Sequence, residues 1–227
     1  MAAFIQRHLR GFLTAVAIIG LVAAWWRYPE ENHFSILRCT ISFLGSPDAD
    51  HIPDGFRFYQ VGMSAVVLLL FGLVWERHRR LRGEIGWIAA CSSAAIFLAL
   101  ILIFLSIWIA DTRGSRMFGM RTGDLHTHMA ILAIPFMTCG ILLDGVALRW
   151  RGVRTLDLWP FHLYGLIVLA GGAALLSWEE MCHRDPTLHH WPGPGIHSTP
   201  LWEWIVFTYL IAFLVWMAHA KFQSSKR

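Results

Sequence analysis

Histidine and carboxylate residues at helical spacing are the groups in this chain that could do chemistry. Asp124 and His128 stand four apart, so on a helix they share one face, with His126 turned elsewhere. Glu179 and His183 are four apart and Glu180 and His183 three apart, another shared face. His51 lies beside Asp48 and Asp50, and Ser42 adds a hydroxyl nearby. Imidazole with carboxylate suits zinc or iron, so Asp124, His128, Glu180 and His183 form a candidate ligand set. A metal-bound water next to lipid would make a hydrolase for a lipid ester or amide. Wet loops also collect such residues without binding anything, and no HxxxH or HExxH spacing occurs.

Other chemistries leave weaker traces. His162 and His219 sit near the ends of two apolar runs and could clasp a haem iron between them. Transport calls for charge near the bilayer midplane, and the candidates there, Ser64, Ser92, Ser93, Ser106 and Thr138, are uncharged. Asp144 is expected to pair with Arg149 or with a helix terminus. There is no G-x-S-x-G motif, no phosphate loop and no dinucleotide fingerprint.

Six apolar runs must position these groups: 11–26, 58–75, 85–110, 125–148, 160–178 and 201–220. About 20 apolar residues cross the hydrocarbon of a bilayer. Hydrophobic residues make up 56% of the 227, which suits one integral membrane domain over 1–227. The first run resembles a signal peptide, with Arg7 and Arg10 leading it. However, Ala23-Ala24 run straight into Trp25-Trp26-Arg27, a poor cleavage site, so it reads as a retained helix. Pro135 predicts a kink in the fourth helix.

Charge is sorted between the gaps. The N-terminus, the gaps 76–84 and 149–159, the C-terminal tail and Asp144 hold 12 Lys/Arg against 4 Asp/Glu, a net of +8. The other side holds 7 against 11, a net of −4. Positive charge stays cytoplasmic during insertion, so both termini are expected inside. Arg77, Arg79, Arg80 and Arg82 then read as an orientation signal in a short inner loop, and nucleic acid is not the expected partner. Most of the tryptophans fall at predicted helix ends, where an amphipathic indole prefers to sit. Two larger outer gaps, 27–57 and 179–200, would form a cap. Each holds one cysteine, Cys39 and Cys182, which in an oxidising compartment would join as a disulfide. Cys91 and Cys139, within helices, read as packing residues.

Two segments carry a resemblance. One is Phe34-Ser35 through Ile41-Ser42-Phe43-Leu44-Gly45, running on to Gly62. The other is Gly123-Asp124-Leu125-His126 with Ala130 a turn later. On these residues the chain resembles a family of bacterial six-helix membrane proteins of unknown function, which are distantly similar to the DRAM-type (damage-regulated autophagy modulator) membrane proteins. The resemblance implies six helices and an outward polar cluster, and no particular reaction.

The expectation is therefore an all-α bundle of six transmembrane helices in a bacterial inner membrane. Its expected polar cluster is Ser42, Asp124, His126, His128, Glu179, Glu180 and His183. Unbroken apolar helices without a catalytic signature point to a protein that binds lipid or a protein partner, as an accessory subunit of a membrane complex. The alternative is the metal-dependent hydrolase.

Overall fold

The structure is a computed structural model. It describes residues 2–28, 41, 44, 55–109, 115–153, 155–185, 187–188 and 193–220. Six helices dominate: α1 Ala2–Trp26, α2 Phe56–Ile85, α3 Trp87–Trp108, α4 Thr122–Trp150, α5 Trp159–Arg184 and α6 Thr199–His219. All six are long and apolar enough to cross a membrane. Ser42, Cys39, His51, Asp48 and Asp50 lie outside the described residues.

The first correction concerns gap 76–84, expected as a loop. It is helix, because α2 continues to Ile85. Glu, Arg and Leu are good helix formers, and nothing in Glu76–Ile85 breaks the backbone ladder. The turn into α3 is a single residue, Gly86, at φ 62° and ψ −130°, a conformation open to glycine and strained for others. Similarly, α5 runs past the predicted end at 178 and carries Glu179–Arg184 on its last turns. Helix α4 stays helical through Pro135. Helix α6 starts on an N-cap, with Ser198 accepting a hydrogen bond from the Leu201 N–H at 3.3 Å and Pro200 in the first turn.

Helix α2 is the hub, touching α1, α3, α4 and α6. Its partnership with α1 is close enough to need glycine on both sides. A Cβ on Gly20 would lie 2.7 Å from Gly62 Cα and 2.8 Å from the Phe58 carbonyl oxygen. Helix α4 packs most extensively on α3. There Gly140 lets Ile96 and the Ser92 carbonyl approach, at 2.6 and 2.7 Å from where a Cβ would sit. Helix α5 meets α4 only lightly. Those contacts lie toward the connection between them, through Gly145 with Phe161 and Thr138 with Tyr164. Its far half packs instead on α6 and the 3-10 turn Gly195–His197, through Gly171 on Trp202 and Trp178 stacked on His197.

The bundle has two distinct ends. At the basic end lie Gly86, the α4–α5 connection and the C-terminus of α6. At the hairpin end α3 and α4 are joined across a two-stranded hairpin, β1 Arg116–Met117 and β2 Met120–Arg121. Exposed tryptophans mark both ends: Trp25, Trp26 and Trp108 at one, Trp75, Trp87, Trp150 and Trp159 at the other. Between them the surface is apolar, with Ile18, Ile19, Ile131, Leu142, Leu166 and Leu169 among its exposed side chains. Cys91 and Cys139 also lie on this surface, which corrects their reading as packing residues.

Candidate functional site

The expected polar cluster is placed one residue at a time. Asp124 is exposed in the first turn of α4. His128 is also exposed, and its Nδ1 donates to the Asp124 backbone carbonyl at 2.5 Å, not to the carboxylate. His126 is half-buried and donates through Nδ1 to the Ser106 carbonyl at 2.8 Å, tying α4 to α3. On α5, Glu179 faces His183 at 3.9 Å, while Glu180 holds Arg184 at 2.8 Å. These α5 pairs are exposed, so water screens them.

No group of three or more His, Cys, Asp or Glu that could hold a metal forms among the described residues. Asp124, His128, Glu180 and His183 are therefore not brought together as a metal-binding set. The reason is visible in the packing. A short connection makes α4 and α5 neighbours at the basic end, but the far half of α5 turns to α6. Cys182 is a buried free thiol, and its expected partner Cys39 lies outside the described residues. Just beyond α5, the Thr187 hydroxyl and backbone N–H both bond Asp185 Oδ1, at 2.6 and 3.0 Å. They hold that carboxyl below the usual carboxylate range.

The strongest polar site is one the sequence reading did not assemble. Arg77 on α2 and Asp144 on α4 form an ion pair, and both side chains are 0% exposed. Helix α3 completes it. Arg77 Nη1 donates to Ser93 Oγ at 3.1 Å and Nη2 to Ser92 Oγ at 3.2 Å. This corrects two expectations: Arg77 is not a loop residue, and Asp144 pairs with Arg77 instead of Arg149. A buried charge is tolerated only when paired and hydrogen-bonded, and here three helices supply the partners. The cage is incomplete, since Arg77 Nε and Asp144 Oδ1 are buried without a hydrogen-bond partner among the described residues. The signal was present in the sequence. Asp144 is the one acid deep within an apolar run, and Ser92-Ser93 interrupt the most apolar helix.

The other hydroxyls expected near the midplane are also engaged, and two of them, Ser64 and Ser106, lie instead beside Trp108 at the hairpin end. Ser64 accepts from Trp108 Nε1 at 3.0 Å, Thr138 meets the Tyr164 hydroxyl at 3.2 Å, and Ser106 donates to the Ile103 carbonyl at 2.8 Å. His219, expected to share an iron with His162, donates from Nδ1 to the Val215 carbonyl at 2.8 Å.

A second site sits beside the buried pair, on the other face of α2. An open cleft of about 340 Å³ is lined by Arg10 of α1, by Glu76, Arg79 and Arg80 of α2, and by Ala218 and His219 at the C-terminus of α6. Glu76 is taken by Arg10 in an ion pair, and Arg80 reaches the Ala220 carbonyl at 3.3 Å. Three guanidinium groups thus border a space holding one carboxylate, at the depth of Trp75. Guanidinium is planar, permanently charged and suited to fork-like bonding of phosphate oxygens. Comparison of the chain with protein-family models, with curated proteins and with solved structures finds no match in any of the three.

Proposed function

We propose that the chain is a multi-pass membrane protein that binds anionic lipid at its basic end, with both termini cytoplasmic in a bacterial inner membrane. One observation carries the reading: the cleft between α1, α2 and α6, where Arg79 and Arg80 stand beside the Arg10–Glu76 ion pair. Basic pockets between transmembrane helices on the cytoplasmic side suit phosphorylated headgroups. The tail of such a lipid would lie along the apolar belt of α1, past exposed Phe12 and Ile19. The charge sorting that supports the orientation puts the same arginines inside. Kinship with the six-helix family belongs to this proposal and draws on the helix count. The hydrolase alternative would need donors that the described residues do not gather.

Native mass spectrometry of the protein released from mixed-lipid nanodiscs tests the reading. One or two anionic lipids should stay bound, and Arg79→Gln with Arg80→Gln should strip them. Retention of zwitterionic lipid alone, or unchanged retention in the double variant, would reject it.

An accessory role in a larger membrane complex is the second reading. Helix α1 favours it, because α1 packs chiefly on α2 and leaves Phe12, Ile18 and Val22 exposed along one flank. Photocrosslinking from Ile18 in native membranes should then capture a protein, and adducts with lipid only would exclude it.

A further inference from the structure

The hairpin between α3 and α4 is built against its own interests as a water-exposed turn. Strands β1 and β2 pair Arg116 with Arg121 and Met117 with Met120. Residues directly opposite share a face, so the two arginines lie side by side on one face and the two methionines on the other. Like charges in that position repel. The two-residue apex is Phe118-Gly119, with φ 53° and 81°. Positive φ at both central residues is the hairpin turn that favours Asn-Gly. Gly119 fits it, and Phe118 does not: a bulky side chain at positive φ is strained. Phe118 is also 87% exposed, and Met117 and Met120 stand partly in the open beside it. The base is firm, with the Thr122 N–H on the Ser115 carbonyl at 3.1 Å and the two hydroxyls 2.6 Å apart.

A surface both apolar and anionic offsets the exposed apolar tip and the facing charges together. Charge and position identify it. The hairpin joins two membrane-spanning helices, one of them ending at exposed Trp108, so its tip lies level with a lipid headgroup layer. We infer that the hairpin Arg116–Arg121 is a membrane anchor, with Phe118 and its flanking methionines seated among lipid chains and Arg116 and Arg121 on anionic headgroups. This site is at the opposite end from the basic cleft and stands whether or not that cleft binds lipid. It would hold the outer ends of α3 and α4 at a set depth, as amphipathic anchors do.

The test places a photoreactive aromatic at the tip, as Phe118→p-benzoylphenylalanine, in nanodiscs of phosphatidylcholine with phosphatidylglycerol. The same substitution at Ile131, on the lipid-facing side of α4, is the positive control. Irradiation should give lipid adducts from position 118 at a yield within about threefold of the control. Phosphatidylglycerol should be enriched at least twofold over its share of the disc, and Arg116→Gln with Arg121→Gln should remove that enrichment. No lipid adduct from position 118 while position 131 labels would overturn the proposal. So would a protein adduct from position 118 in native membranes without lipid adducts in discs. Lipid adducts with no preference for phosphatidylglycerol would overturn the role of the arginines.

Discussion

Two polar regions of this bundle use the same chemistry in opposite surroundings. At the far end of α5, Glu179, Glu180, His183 and Arg184 pair at i,i+4 spacing on one exposed helix face. Between α2, α3 and α4, Arg77 and Asp144 pair across helices with no exposure at all. The first arrangement is visible from spacing and contributes little, because water already solvates each charge. The second is invisible to spacing and holds three helices, because each charge lacks an alternative partner once buried. Arg77 also contrasts with its neighbours on α2. Two and three residues further on, Arg79 and Arg80 point into the basic cleft. A turn of 100° per residue separates a structural clamp from a candidate lipid site.

The largest expected effect breaks the buried side of this comparison. Asp144→Leu alone leaves Arg77 without its counter-charge and should cost about 3–5 kcal/mol of stability in detergent. Arg77→Met combined with Asp144→Leu should recover most of that loss, since an apolar pair needs no partners. Equal loss in the single and double variants, read by thermal unfolding, would show that the pair is not the clamp described.

Next comes the contact that holds α1 to α2. Gly62→Leu should cost about 1–3 kcal/mol through overpacking, because a Cβ there would already meet Leu21 N at 2.9 Å. Limited proteolysis should then release α1 first. A variant as protease-resistant as the parent would mean that α1 is held elsewhere.

The exposed side should be nearly silent. His183→Ala and Glu180→Gln should each change stability by no more than about 0.5 kcal/mol, and metal analysis should not distinguish either from the parent protein. A loss above about 1 kcal/mol, or of an equivalent of zinc or iron, would restore the cluster as a site.

The smallest effect is local. Thr187→Val removes the hydroxyl that bonds Asp185 at 2.6 Å, so the Asp185 titration followed by carbon NMR should move upward. The sign follows from linkage. A carboxyl depressed in the folded state adds stability above its unfolded pKa and loses it as pH falls through the folded value. An unchanged titration would show that the backbone N–H acts alone.

Six runs of apolar residues with tryptophans at their ends were legible because each reports on a single chain segment against its solvent. Length against bilayer thickness and indole against the interface need no knowledge of neighbours. The boundary errors have the same origin. Residues 76–84 are charged enough to look like a loop, yet charge does not end a helix; glycine at Gly86 does. The candidate site was harder to read. Asp124 with His128 and Glu180 with His183 were placed correctly on their own helices, but their meeting required α4 and α5 to stay together along their whole length.

Sequence alone determined what each helix must face: its length, its apolar surface and its interfacial ends. Tertiary structure alone decided which residues meet. Arg77 and Asp144 are 67 positions apart and find each other only because α3 packs tightly on both α2 and α4, bringing Ser92 and Ser93 to the same point. The basic cleft likewise needs α1, α2 and α6 to bring Arg10, Arg79 and His219 to one level. Solvent preference is a property of one residue and one segment. Pairing is a property of packing, set by where glycines such as Gly20, Gly62 and Gly140 let helices approach and where bulky side chains hold them apart.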